Sequence, residues 1–253
     1  MPTRDPLDQP ESYLAAVDLP HQRTAGIIGG IGPESTIDYY RLIIAGYRER
    51  SPGAYPSLLI DSIDLDLMLE LLDQRRMEEF AARLAASLRR LAAGGADFAL
   101  MAANTPHLVF DELAAASPIP LLSIVEAALA EAQARGLSRP ALLGTRFTMQ
   151  GAFYLRAFRA VGLDLATPRP EEQDFIHEKY LGELIPGRFL APTRQAFLAI
   201  IERLRREEGV DGLLLAGTEL PLLLREAGDL GLPQLDTTLL HVARVVELLL
   251  EKT

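Results

Sequence analysis

Polar side chains follow two buried apolar runs of the sequence, and their types could hold a small ligand or move a proton on it. Asn104 and Thr105 come shortly after one run, and Thr218 and Glu219 come shortly after the other. Side chains at such places either cap a helix or contact a ligand, and their presence after both runs favours ligand contact. His107 has an imidazole that could act as a general base, although a single histidine three residues after a strand is as often structural.

A glycine-rich turn lies near the start of the chain, between a predicted strand and a predicted helix. Its sequence, GIIGGIGPEST, spans residues 26–36 and ends in two hydroxyl side chains, Ser35 and Thr36. Backbone N–H groups and the helix dipole at such a turn favour an anion such as a carboxylate, although a tight connection explains the segment equally well. The turn lacks the third glycine of a dinucleotide-binding fingerprint, and the chain has no lysine-terminated phosphate loop.

Several classes of catalytic group are missing from the sequence. The chain has no cysteine, which excludes disulfides, thiolate metal sites and thiol nucleophiles. Its only lysines are Lys179 and Lys252, which disfavours a pyridoxal phosphate enzyme, because such enzymes bind their cofactor through a lysine. The remaining histidines form no metal-ligand spacing (His21, His177 and His241). We therefore predict neither a cofactor nor a metal.

Composition and charge are those of an ordinary globular protein. The 253 residues carry a net charge of −10, the mean hydropathy is +0.12, and no basic block occurs, so binding to nucleic acid or anionic lipid is disfavoured. No apolar run reaches the roughly 18 residues that a membrane span needs. The acidic, proline-containing start does not match a secretory signal, which predicts a cytoplasmic location. We expect residues 1–20 to form a loosely ordered N-terminal extension.

Short apolar runs alternate with longer segments of helical periodicity, which is typical of an α/β fold with parallel strands. The predicted strands lie near residues 25–30, 57–62, 97–102, 120–123, 139–144, 211–216 and 232–235. The predicted helices cover residues 34–49, 75–93, 124–135, 149–161, 171–184, 193–207 and 237–250.

The chain also resembles itself at an offset of about 114 residues, which indicates an internal repeat. Three pairs of segments align in the same order: 27–30 with 141–144, 95–107 with 209–221, and 119–122 with 232–235. A duplicated α/β unit explains this order, whereas the alternative is that any two such units share apolar runs. Because ligands of open parallel sheets bind at the carboxyl ends of the strands, a duplication would present two such ends to one small ligand.

Five motifs together resemble the signatures of the cofactor-independent aspartate/glutamate racemases. They are GGIGPEST (residues 29–36) followed by Tyr39 and Tyr40, Asn104-Thr105 followed by His107, GTRFTM (144–149), DFIHE (174–178) and TELP (218–221). The resemblance covers residues 24–250 and implies two pseudo-symmetric, Rossmann-like α/β domains with the active-site cleft between them. It also implies a homodimer that acts without pyridoxal phosphate or metal.

Together with the repeat, the resemblance predicts how the chain divides into domains. The first α/β domain is expected to comprise residues 21–118 plus 225–253, and the second is expected to comprise residues 119–224.

The resemblance also assigns the positions of two catalytic cysteines, which act on opposite faces of the substrate's α-carbon in these racemases. One thiolate removes the proton and the other thiol returns one. The corresponding positions here are Ala103, just before the Asn-Thr pair, and Gly217, just before the Thr-Glu pair. Neither side chain can give or take a proton, so the remaining catalytic candidates are Thr218, Glu219 and His107. A bound water held by Glu219 or His107 is one route for the last two.

The substrate-binding residues that the resemblance implies are retained: Ser35, Thr36, Asn104, Thr105, Arg146, Thr148 and Arg188. Arg188 resembles the basic residue that meets a side-chain carboxylate, and arginine suits such a bidentate contact. A plain surface charge is the alternative for Arg188 and for Arg146.

Three functions are compatible with these features. The first is an enzyme that moves a proton at carbon on a small carboxylate or acidic amino acid, as a racemase or as a lyase or decarboxylase. The second is a ligand-binding or regulatory protein that keeps the pocket without the chemistry. The third, a structural scaffold, is disfavoured because the polar residues of the site are retained.

Overall fold

The computed structural model describes residues 22–251 and contains two parallel β-sheets. The strands are β1 (Thr24–Gly29), β2 (Ser57–Ser62), β3 (Phe98–Met101), β4 (Leu121–Leu122), β5 (Pro140–Gly144), β6 (Gly212–Ala216) and β7 (Gln234–Asp236). The first sheet has the order β2-β1-β3-β4 and the second has the order β5-β6-β7. All their pairings are parallel, which confirms the predicted α/β class.

Helices connect these strands and cover the sheets. They are α1 (Pro33–Arg50), α2 (Leu65–Asp73), α3 (Met77–Ala93), α4 (Phe110–Ala116), α5 (Ile124–Ala134), α6 (Arg146–Gln150), α7 (Ala152–Ala160), α8 (Pro170–Lys179), α9 (Ala191–Glu208), α10 (Leu220–Leu224) and α11 (Thr237–Leu250). Two 3₁₀ turns (Thr105–Val109 and Arg225–Ala227) and a π-helical segment (Tyr180–Leu184) complete the elements.

The central strands are apolar on both faces because helices cover both sides of each sheet. In β1, Ile28 packs into one cluster of buried side chains and Ile27 into the cluster on the opposite face. In β6, Leu215 and Leu214 are divided between two clusters in the same way. This double burial explains why these strands occur in the sequence as nearly continuous apolar runs.

The sheet pairing differs from the expected domain boundaries at two strands. β4 pairs with β3 in the first sheet, although the second domain was expected to begin at residue 119. β7 pairs with β6 in the second sheet, although the first domain was expected to resume at residue 225. β4 and β7 are short, and each directly precedes a helix. The apolar pattern of the sequence alone therefore does not show which sheet each strand joins. The division of the chain into domains otherwise stays a prediction.

The remaining segments differ from the prediction in few places. Helix α2 and the short helices α4 and α10 were not predicted, and the predicted helix over 149–161 is two helices, α6 and α7. The predicted N-terminal extension, residues 1–20, lies outside the described residues. Within residues 22–251, no helix is both long and apolar enough to cross a membrane.

Candidate active site

A small cavity of about 60 Å³ lies where the carboxyl ends of the strands of both sheets meet, and we call it the cleft. The first sheet contributes the residues after β3, and the second contributes the residues after β5 and β6. The polar lining comprises Ser35, Asn104, Thr105, Thr145, Tyr180, Thr218 and Glu219. The other lining residues are Ile31, Gly32, Leu65, Met68, Leu69, Leu72, Ala103, Phe147, Leu181, Ile185, Ala216 and Gly217.

Ala103 and Gly217, the positions that the resemblance assigned to catalytic cysteines, both line this cleft. Ala103 follows β3 and Gly217 follows β6. These are interior strands of the two sheets, and their carboxyl ends correspond in the repeat. The cleft therefore brings together the two strand ends that the repeat pairs, and the two positions carry a methyl group and a hydrogen atom.

The Tyr180 side chain occupies the space beside Gly217. A Cβ atom added at Gly217 would lie 2.7 Å from Cε2 and 2.8 Å from Cζ of Tyr180, which is closer than any carbon contact tolerates. Tyr180 begins the π-helical segment, an irregularity often found at functional sites. A side chain at position 217 would therefore require the Tyr180 ring to move.

Glu219 is held in the cleft by two hydroxyl donors. Tyr180 Oη and Thr218 Oγ1 both donate to Glu219 Oε2, the threonine at 2.7 Å. The carboxylate is only 5% exposed. Burial and the neighbouring carboxylate raise the pKa of Tyr180 well above its usual value, so this hydroxyl stays protonated and continues to donate.

Three threonine hydroxyls join the two halves of the cleft. Thr105, after β3, lies 3.1 Å from Thr145 and 3.4 Å from Thr148, measured between Oγ1 atoms. Thr145 caps α6 and accepts from the backbone N–H of Thr148 at 3.3 Å. Thr105 and Thr145 line the cleft, whereas Thr148 is fully buried behind them. These hydroxyls can donate to a ligand carboxylate.

Asn104 is fixed by contacts to both halves of the molecule. Its Oδ1 accepts from the Tyr154 hydroxyl at 2.6 Å, and its Nδ2 donates to Thr237 Oγ1 at 3.2 Å. Thr237 in turn donates to the carbonyl of Leu215 in β6 at 3.0 Å. The amide of Asn104 is therefore engaged in positioning the strand end, although the residue borders the cleft.

The predicted pair at the start of α1 divides between two roles. Ser35 lines the cleft, and its hydroxyl donates to the carbonyl of Ala102 at 2.6 Å. Thr36 is not among the lining residues; its hydroxyl accepts from the backbone N–H of Gly30 at 2.9 Å and so closes the turn. Gly32, at the cap of α1, has a φ of 96°, a left-handed conformation that favours glycine.

His107 does not lie in the cleft, so its predicted part in catalysis does not fit its surroundings. It is buried, and its Nε2 accepts from the backbone N–H of Ile124 at 3.2 Å. The proton is therefore on Nδ1, which lies 3.2 Å from the carbonyl of Asn104. Burial lowers the pKa of His107 to about 4. This imidazole connects the strand end to α5, and it borders a different cavity.

Neither of the two predicted arginines lines the cleft. Arg146 is partly exposed and pairs with Asp174 at 3.3 Å. Arg188 is exposed and donates to the carbonyl of Gly182. In this arrangement both behave as the surface charges that were the alternative to ligand contact.

Several lining residues were not singled out from the sequence. Tyr180 lay inside a predicted helix, and nothing in its spacing shows that it meets Gly217, more than thirty residues later in the chain. Leu65 and Leu69 belong to α2, which had a start signal: Asp64 precedes the apolar run and accepts from the backbone N–H of Leu67 at 3.1 Å. Thr145 lay within the GTRFTM motif beside the residues that were chosen.

Metal-ligand chemistry has little support in this part of the chain. Among residues 22–251, no group of three or more His, Cys, Asp or Glu side chains is arranged to hold a metal ion. The chemistry open to the cleft is that of one carboxylate, several hydroxyls and the backbone.

The fold resembles solved structures described as a candidate racemase and a racemase homologue. A candidate Asp/Glu racemase from Yersinia pestis superposes with a TM-score of 0.82 at 29% identity, covering 90% of this chain and 100% of that one. An aspartate racemase homologue from Pyrococcus horikoshii superposes with a TM-score of 0.78 at 33% identity, with the same coverage. These neighbours confirm the predicted two-domain, Rossmann-like fold.

Sequence comparison leads to the same family. A broad-specificity amino-acid racemase from Bacillus subtilis is 28% identical over 146 residues, which span 55% of this chain and only 62% of that protein. The family model described as Asp/Glu/hydantoin racemase matches residues 28–245, most of the chain. The protein therefore belongs to the Asp/Glu/hydantoin racemase family, as a member without cysteine.

Proposed function

We propose that the protein binds a small amino acid or carboxylate in the cleft and moves a proton at its α-carbon on one face only, with Glu219 as the acid–base group. The observation that carries this proposal is the position of Glu219. It is the only carboxylate among the described residues that line the cleft, and it stands beside Gly217, the position of one family cysteine.

The opposite face of the cleft offers no comparable group. Ala103 has no proton to give, and the amide of the adjacent Asn104 is engaged with Tyr154 and Thr237. Thr105 has a hydroxyl, which is a poor base without an activating partner. Racemisation by two bases therefore has no support here, whereas proton removal and return by one base does.

In the proposed step, Glu219 takes the α-proton from the ligand and then returns a proton to the same face. Its Oε2 is anchored by Tyr180 and Thr218, and its Oε1 faces Gly32, 4.0 Å from where a Cβ on that glycine would be. The negative charge that develops on the ligand carboxylate is met by the hydroxyls of Thr105 and Thr145. Backbone N–H groups at the start of α1 add a favourable dipole.

Solvent can reach the proton on Glu219 from its other side. Glu219 also borders an adjoining cavity, which is lined by Glu34, Asp38 and Arg41 among others. A proton held on Glu219 can exchange with water there before it returns to the ligand. One-sided transfer therefore predicts exchange of the α-proton with solvent and retention of configuration.

The test is proton NMR in D₂O with each enantiomer of a panel of amino acids, following loss of the α-proton signal. We expect exchange with the native protein and at least a hundredfold slower exchange with Glu219→Gln. The exposed Glu178 supplies a matched control, Glu178→Gln, which should exchange at the native rate. Equal exchange by the native protein and Glu219→Gln would contradict the role of Glu219.

A second function, ligand binding without chemistry, is favoured by the loss of both thiols and by the Tyr180 ring beside Gly217. It predicts that an amino acid binds, as seen by ligand-observed NMR, without any exchange over long incubation. That outcome would support the cleft as a ligand-binding site and contradict proton transfer by Glu219.

Three further predictions from the sequence remain part of this proposal. A duplicated origin of the two halves is supported by the same strand order in β1-β3-β4 and β5-β6-β7. A homodimer is supported by exposed apolar side chains on α1 and α11, and light scattering would test it (Ile37, Tyr40 and Leu239). A cytoplasmic location would be tested by cell fractionation.

A further inference from the structure

The described residues that line the cleft carry no positive charge. Among the described residues that line it, there is no lysine, arginine or histidine, and Glu219 supplies one negative charge. Arg188, which was expected to meet a side-chain carboxylate, and Arg146, which was expected to bind the substrate, are not among its lining residues. A ligand with two carboxylates would therefore enter a partly buried site that already holds a carboxylate and no counter-charge.

The adjoining cavity does not supply a net positive charge to compensate for Glu219. Arg41 lines it, but Glu34 and Asp38 line it as well, and Glu219 is shared between the two cavities. The guanidinium is thus outnumbered by carboxylates on this side of Glu219. In a site of lowered dielectric, repulsion between like charges is stronger than in water.

The cleft is instead lined by half-buried apolar side chains from α2, from the π-helical segment and its end, and from α6. Leu65 and Leu69 lie one turn apart on α2, and Leu181 and Ile185 lie near the π-helical segment. Phe147, from α6, lies with them. These side chains are only partly covered by the protein, so an apolar group of a ligand would bury them further and be favoured by the hydrophobic effect.

We propose that the cleft selects amino acids with an uncharged, apolar side chain and discriminates against aspartate and glutamate. This inference rests on the proposed function, because it assigns the substrate class of the same site. The ligand's own ammonium balances the charge of Glu219, its carboxylate meets the threonine hydroxyls, and its side chain packs on the apolar residues.

The test uses pairs of amino acids of matched shape and different charge. Leucine is compared with aspartate and methionine with glutamate, with asparagine and glutamine separating polarity from charge. Dissociation constants are measured by ligand-observed NMR with the full-length native protein. We expect leucine and methionine to bind at least about tenfold more tightly than aspartate and glutamate, with the amides between them.

Each outcome has a distinct meaning. If aspartate or glutamate binds as tightly as its neutral partner, the inference is overturned, whereas exchange of its α-proton would still support the proposed function. If none of the six amino acids binds, the proposed function falls and the inference falls with it.

A variant pair tests the charge argument independently. Leu69→Arg introduces a guanidinium at the apolar wall, and Leu190→Arg introduces the same charge at an exposed residue that does not line the cleft. We expect Leu69→Arg to improve aspartate binding relative to leucine at least fivefold, and Leu190→Arg to keep the native preference. The same preference in both variants would overturn the account based on charge.

Discussion

The ring of Tyr180 lies where a side chain at Gly217 would begin: a Cβ there would lie 2.7 Å from Cε2 and 2.8 Å from Cζ. Tyr180 also donates a hydrogen bond to Glu219, which lies two residues after Gly217 in the chain. The absence of a side chain at Gly217 is therefore coupled to the arrangement of the carboxylate site. A cysteine introduced at this position has to displace an aromatic ring.

Restoring the thiols alone should not restore racemisation. We expect the Ala103→Cys, Gly217→Cys double variant to form no opposite enantiomer of aspartate, glutamate, leucine or methionine, because a Cβ atom at position 217 would lie 2.7 Å from Cε2 of Tyr180. Adding Tyr180→Ala makes room, and only that triple variant should form the opposite enantiomer, as measured by chiral chromatography. Racemisation by the double variant with Tyr180 intact would show that this packing does not control the site.

Removing either predicted arginine should leave ligand binding unchanged. Arg146 pairs with Asp174 and Arg188 with a backbone carbonyl, both outside the lining of the cleft. We expect Arg146→Ala and Arg188→Ala to change the dissociation constant of leucine and of aspartate less than about twofold. A loss of dicarboxylate binding in Arg188→Ala would return that residue to the site, as the resemblance first implied.

Replacing Asn104 should reduce stability. It is 5% exposed, and Asn104→Ala deprives the buried Tyr154 hydroxyl and Thr237 of their shared partner. We expect a loss of roughly 2 kcal/mol in the free energy of unfolding in urea, and a smaller loss for Tyr154→Phe, which removes only one of the two bonds. Unchanged stability together with lost ligand binding would instead make Asn104 a ligand contact.

Stability should fall in mild acid because two histidines are buried in neutral form. Burial lowers the pKa of His107 to about 4 and that of His241 to about 3, below the usual 6.5 of the unfolded chain. The unfolded state binds these protons first, so stability is lost as pH falls from about 6.5 toward the folded values. Each histidine should contribute roughly 2 kcal/mol of the loss between pH 7.5 and pH 5.

The measurement for this prediction is urea unfolding at both pH values. His107→Gln should reduce the pH-dependent loss by about half of the combined contribution of the two histidines. An unchanged difference between pH 7.5 and pH 5 in that variant would show that His107 is already solvated or charged in the native state.

Much of the fold could be predicted from the sequence because the central strands β1, β3, β5 and β6 are buried on both faces. Each of the seven predicted strands overlaps an observed one, and polar residues after β3 and β6 do meet in one cleft. Sheet membership of β4 and β7 could not be predicted, since a strand of only two or three residues fits either sheet. Tyr180 was missed for a related reason: its role depends on a contact with Gly217 that only the folded chain creates.

The chemical type of a residue did not reliably predict whether the residue lines the cleft. His107 and the two arginines were chosen because imidazole and guanidinium suit the expected chemistry. His107 instead accepts from the backbone N–H of Ile124. Arg146 pairs with Asp174, and Arg188 donates to the carbonyl of Gly182. Hydroxyl and carboxylate residues directly at the strand ends were better predicted, because the strand itself fixes their position.

The central claim, proton transfer on one face by Glu219, is tested most directly by the configuration of the ligand after exchange. A single enantiomer that exchanges is incubated in D₂O until its α-proton signal has disappeared, and the product is then analysed by chiral chromatography. We predict full deuterium incorporation with the starting configuration retained. Formation of the opposite enantiomer in comparable amount would contradict the claim, because a proton would then have to arrive from the face occupied by Ala103.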